Sequence, residues 1–271
     1  MASLRPPRFV LFGALVVGGI FILVSQVLDD RRSNNTATTI DPEAGFIKDP
    51  STIDALGYNP VDWWSTASDT VQSRDLLETN WVLIFDDSGS MDGDQCTNGL
   101  TKLETAKEAA VGFIREIPTE DNVAVYLLND QTQGKLPEFG TRQDTLRTIV
   151  QAQAGGGTPL GAALRTGRGL MEQRAAKQLG YGTYNVVVLT DGEAGDAELM
   201  VEQTVALFEK TPIELYVIGF CLSDQHALNI PGLVRYYNAR SPDVLSEAFS
   251  SILAESGAFE DGAITSFDKG S

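Results

Sequence analysis

The stretch WVLIFDDSGSMDGDQ, residues 81–95, constrains the chain more than any other. Trp81 to Phe85 is an unbroken apolar run with the length and composition of a strand buried on both faces. It stops in a cluster of small oxygen-bearing residues, Asp86, Ser88 and Ser90. In a doubly wound α/β architecture ligands bind beyond the carboxyl ends of parallel strands, which is where this reading puts the three side chains. They alternate along the chain, and Gly89 permits a tight turn, so one carboxylate and two hydroxyls can converge on a point. No His or Cys stands beside them, and a hard-oxygen set of this kind suits Mg2+, Mn2+ or Ca2+ rather than zinc.

Two later stretches supply matching donors. Gly155-Gly156-Gly157-Thr158-Pro159 places a hydroxyl at the opening of a helix, and Thr190-Asp191-Gly192 closes the apolar run Val186 to Leu189. DxSxS at 86–90, Thr158 in GGGTPLGAAL and Asp191 in LTDG, in that order, resemble the metal-ion-dependent adhesion site of a von Willebrand factor A domain, the fold also seen in integrin I domains. The resemblance covers roughly residues 80–255. It implies Ser88, Ser90 and Thr158 as direct or near-direct ligands, with Asp86 and Asp191 coordinating directly or through water. It also implies that an Asp or Glu of a protein partner fills the open position on the metal, Mg2+ in the first instance. Asp87, Asp92 and Asp94 are read as added negative charge around this cup.

The remainder of the chain reads as alternating helices and strands. Helical periods run over Lys102 to Ile117, Arg142 to Ala152, Pro159 to Lys177, Ala197 to Glu209 and Asp243 to Glu255. Strand patterns fall at Val123 to Leu128, Ile213 to Ile218 and Leu233 to Tyr237, with a short hairpin strand over Gln133 to Phe139. Such alternation predicts an α/β fold, doubly wound and Rossmann-like, with a mainly parallel central sheet flanked by helices.

The amino-terminal portion has a different character. Phe9 to Leu28 carries no charged residue and is long enough for a membrane-spanning helix of about 20 residues. A cleaved signal peptide is the competing reading, but Ser25-Gln26-Val27-Leu28 makes a poor cleavage site, so an uncleaved anchor is preferred. The expected organisation is a cytoplasmic amino terminus (1–8), a transmembrane anchor (9–28), a tether (29–50), a segment packing on the domain flank (51–79), the domain itself (80–255) and a carboxyl-terminal tail (256–271). Arg5 and Arg8 give a slight positive-inside bias, which places the domain on the periplasmic or extracellular side.

Charge and chemistry limit the function classes. A net charge of −17, with no basic patch between residues 33 and 271, excludes a nucleic-acid surface. No G-x-S-x-G nucleophile elbow is present, and Ser88 stands where a phosphate-transferring aspartate enzyme wants a second carboxylate, so no enzymatic activity is expected. The preferred reading is a membrane-anchored adhesion or assembly protein that binds its partner through a metal. A subunit of a larger membrane complex docking through its flank or anchor is the alternative, and a metal-supported hydrolase the third reading. Cys96 and Cys221 follow strands whose loops leave the same sheet edge, which leaves open a disulfide or two separate buried thiols. His226, the lone histidine, is assigned a polar surface or loop-packing role ahead of a ligand or catalytic one.

Overall fold

The structure is a computed structural model that describes residues 72–129, 138–222, 226–230 and 232–256. The expected membrane segment, the tether, the tail and most of the expected hairpin strand at 133–139 lie outside the described residues. Among the described residues no helix is long and apolar enough to cross a membrane.

Five strands make one sheet: β1 (Thr79–Phe85), β2 (Asn122–Leu127), β3 (Thr183–Thr190), β4 (Glu214–Phe220) and β5 (Arg235–Ala239). Their spatial order is β2-β1-β3-β4-β5, and every pairing is parallel. The helices are α1 (Lys102–Glu116), α2 (Arg142–Gln151), α3 (Leu160–Gln178), α4 (Ala197–Lys210) and α5 (Pro242–Glu255), with a short 3-10 turn at Gly89–Asp92.

The strands are apolar at nearly every position because both faces are covered. Trp81, Leu83 and Phe85 of β1 point into a core shared with Leu103, Phe113 and Ile114 of α1 and Phe249 and Ile252 of α5. Val82 and Ile84 point the opposite way, into a second core with Leu164 and Met171 of α3 and Met200 of α4. Burying each such side chain contributes about 1.5–3 kcal/mol, so the central strands carry much of the fold's stability.

Among the described residues the predicted element order holds, with shifted boundaries. β3 begins at Thr183 rather than Val186, because Tyr184 and the buried, polar Asn185 pair with Asn80 and Trp81 of β1 although they interrupt the apolar run. β5 lies at Arg235–Ala239 rather than 233–237; the N–H groups of Leu233 and Val234 turn back to the Ile230 carbonyl instead of joining the ladder. Pro159 sits at the N-cap of α3, one position before the helix starts.

At the amino ends of the strands a polar network closes the fold. Asn80 Nδ2 donates to Gln178 Oε1 (2.8 Å), Arg174 Nε donates to Asn80 Oδ1 (3.0 Å), and Arg174 pairs with Glu78. Ser73 N–H meets the Lys177 carbonyl at 2.8 Å, so the described part of the flanking segment lies against the end of α3.

Connections leave β1 and β3 in opposite directions, β1 leading to β2 on one side and β3 to β4 on the other. Their carboxyl ends therefore border a crevice, the place where this class of sheet binds ligands.

Candidate metal centre

Phe85 and Leu189 are register partners at the ends of β1 and β3, and the Asp86 N–H donates to the Leu189 carbonyl at 3.0 Å. Asp86 is thus the first residue past the ladder. One carboxylate oxygen accepts the Ser88 N–H (2.8 Å), and the other accepts the Thr190 hydroxyl (2.6 Å). Burial raises the Asp86 carboxyl from its ordinary value, against the lowering effect of its bonds from Ser88 and Thr190.

The two serine hydroxyls stand 3.0 Å apart, and Ser90 Oγ donates to Asp191 Oδ1 at 2.6 Å. A side chain added at Gly192 would place its Cβ 3.6 Å from Thr158 Oγ1 and 3.7 Å from Ser90 Oγ, so the Thr158 hydroxyl opens on the same hollow. The fold therefore gathers the DxSxS serines, Thr158 and Asp191 from three separate loops, with Asp86 beneath them.

These residues fit a divalent cation. Adjacent ligands of an octahedral Mg2+, each at about 2.0–2.1 Å, lie about 2.9 Å from one another, close to the separation of the two serine oxygens. Two carboxylates and three hydroxyls form an all-oxygen set suited to a hard ion. Among the described residues no group of three or more His, Cys, Asp or Glu is placed to hold a metal, so any site here depends on its hydroxyls.

The supporting residues were not read from the sequence. Lys102, at the start of α1, sends Nζ to Asp191 Oδ2 at 2.8 Å, and both side chains are almost wholly buried. Asp87, read from the sequence as added negative charge around the cup, also ties two loops together. It is buried, and its Oδ1 accepts the Asn129 N–H (2.8 Å), while Asn129 Nδ2 donates to the Gly157 carbonyl (2.7 Å). Asp92 and Asp94 are exposed. Gly156 adopts φ +72°, and a Cβ there would strike Asn129 Oδ1, so only glycine suits the turn that presents Thr158. Asp196 accepts the N–H groups of Gly161 (2.9 Å) and Ala162 (2.8 Å), satisfying donors at the amino end of α3 just after Thr158. Only the last link had a sequence signal, an Asp before α4, and that signal pointed to capping of its own helix.

His226 is buried and packs the loop. Its Nδ1 accepts the Leu228 N–H (3.1 Å), which leaves the proton on Nε2 to be donated to the Gly192 carbonyl at 3.0 Å. The ring stacks on Tyr236 with centroids 5.9 Å apart. A disulfide joins Cys96, in the loop after the 3-10 turn, to Cys221, immediately after β4, across a Cα separation of 5.9 Å. Both cysteines are in left-handed backbone, φ 57° and 58°.

Residues 81–193 match the family model of the von Willebrand factor type A domain. The match identifies a VWA domain, whose sheet continues past the matched residues through β4 and β5. All five candidate ligands fall within the matched stretch. Solved structures agree on the fold. A von Willebrand factor type A structure from Catenulispora acidiphila superposes with a TM-score of 0.50 at 21% identity, over 66% of this chain and 43% of that one. The pilus adhesin SpaC from Lactobacillus rhamnosus GG gives 0.55 at 15% identity, over 69% and 31%. The SpRpn10 VWA domain gives 0.50 at 14% identity, over 65% and 95%. This chain thus spans less than half of the first two structures, and at these identities the likeness is one of fold. Comparison with curated proteins finds no match.

Proposed function

We infer that this chain is a membrane-anchored VWA domain that binds a protein partner through a divalent metal, in an adhesion or assembly role. The observation that supports it most is the convergence of Ser88, Ser90, Thr158 and Asp191 on the hollow beside Gly192. Ser88, Ser90 and Thr158 would hold the ion, with Asp86 and Asp191 directly or through water. When bound, Mg2+ supplies a coordination position that an Asp or Glu from outside can complete. Mn2+ and Ca2+ suit the same oxygen donors.

The remaining parts of the reading rest on sequence and fold. The uncharged run at 9–28 would anchor the chain, with the domain on the periplasmic or extracellular face. Similarity of fold to the pilus adhesin SpaC favours adhesion or assembly over turnover, and no catalytic residue is assigned.

Full-length protein in detergent, used as bait for solubilised membranes, tests the reading in three arms: Mg2+, EDTA, and Mg2+ with Asp86→Ala. A partner retained only by the intact, metal-supplied protein is expected. A partner retained in all three arms would move the interface to the flank or the anchor.

A further inference from the structure

The hydroxyl-rich cup contains one cation of its own. Lys102 Nζ lies 2.8 Å from Asp191 Oδ2, with 10% of the lysine side chain and none of the aspartate side chain exposed. The opposite oxygen of the same carboxylate, Oδ1, accepts the Ser90 hydroxyl. One carboxylate thus faces a fixed ammonium on one side and the candidate metal hollow on the other. Thr101 and Glu104 form a capping box at the start of α1, and the Lys102 N–H is tied to the Gly93 carbonyl at 2.7 Å, so the lysine is held from both flanks. Lysine is rarely buried without a charge to meet, and here the charge it meets belongs to a ligand candidate.

We propose that Lys102 is a built-in counter-cation that weakens the site's hold on metal and leaves the loaded cup one positive charge richer, so that an acidic partner group completes its charge balance. The proposal rests on the metal reading above and adds a set-point to it. An ammonium sharing a carboxylate with the metal competes for that negative charge over a few ångströms. Even at the dielectric constant of water, repulsion between a unit and a divalent charge at such range changes affinity on the order of tenfold. The loaded cup then gains more from an incoming carboxylate than the same cup without the lysine, so metal and partner strengthen each other's binding.

The test measures Mn2+ binding to the full chain in detergent, from the free-ion paramagnetic resonance signal, for wild type, Lys102→Gln, Lys102→Arg and Asp86→Ala. Glutamine, one bond shorter, removes the charge while keeping an amide donor on the Asp191 side; arginine keeps the charge. The expected result is an affinity at least about tenfold tighter in K102Q than in wild type, with K102R as weak as wild type. Equal or weaker binding by K102Q would overturn the proposal while leaving the metal site standing. Tightening of K102R to the level expected of K102Q would overturn it too, and this arm holds should the glutamine variant fail to fold. Absence of binding in wild type and K102Q alike, matching Asp86→Ala, would instead overturn the metal reading on which the proposal depends.

Discussion

The Asp87 carboxylate accepts the backbone N–H of Asn129 at 2.8 Å, fastening the end of β2 to the residue beside the first metal-ligand candidate. Asn129 then carries the tie onward through Nδ2 to the Gly157 carbonyl, next to Thr158. The Gly155 N–H also donates to the Asp87 carbonyl (2.8 Å), so two loops are set by one residue. Asp87→Ala leaves the Asn129 N–H without its acceptor and is expected to cost about 1–3 kcal/mol of unfolding free energy. Asp87→Asn keeps an acceptor and should recover most of that loss. Urea denaturation of both variants checks this; equal losses would show that the charge, rather than the hydrogen bond, is what matters at position 87.

The Cys96–Cys221 bond links positions 125 residues apart and ties the loop after the 3-10 turn to the end of β4. A bond closing so long a loop stabilises by about 4–5 kcal/mol in the chain-entropy account, by restricting the unfolded chain. It also offsets the left-handed backbone that both cysteines adopt. The Cys96→Ser/Cys221→Ser double variant is expected to unfold at lower denaturant by a margin of that size. Protein prepared without reductant should show no alkylatable thiol until it is reduced. Free thiols in that preparation would speak against an oxidising compartment for the domain, and so against the outward orientation.

The parts of this architecture that could be read in advance share a cause. Strands buried on both faces must be apolar at almost every position, so β1 and β4 announced themselves, and the oxygen-rich residues at the ends of β1 and β3 stood out against them. β5 is an edge strand and only half buried, so RYYNA shows no such run and its placement slipped by two residues. The start of β3 was hidden by Asn185, a polar residue in a fully buried position. At the site, ligand candidates lie within turns and carry a local pattern. Their partners do not. Lys102 reaches Asp191 across 89 positions, and Asp87 reaches Asn129 across 42, and no spacing rule links residues that only the sheet order brings together. The partners of Asp87 were out of reach for the same reason: its neighbours in sequence, Asp86 and Ser88, belong to the candidate site, but its partners in space are the end of β2 and the glycine loop.

Asp121 offers a pH signature at the far end of the sheet from the candidate metal centre. It precedes β2, and the buried Trp81 indole donates to its Oδ2 at 2.9 Å. Burial raises the Asp121 carboxyl above its ordinary value of 3.8, although the Trp81 bond and Arg142 act in the opposite direction. A raised folded-state value means that the native protein binds this proton more tightly than the unfolded chain does. The stabilising contribution is then fully present below the unfolded value and is lost as pH rises through the folded one. Asp121→Asn keeps an oxygen for the Trp81 N–H and removes the ionisation. The variant should therefore exceed wild type in unfolding free energy at neutral pH, with the gap narrowing steadily as pH falls toward about 4. Paired denaturant titrations between those limits check the sign. A gap that widens on acidification would mean that attraction to Arg142 outweighs desolvation at this carboxylate.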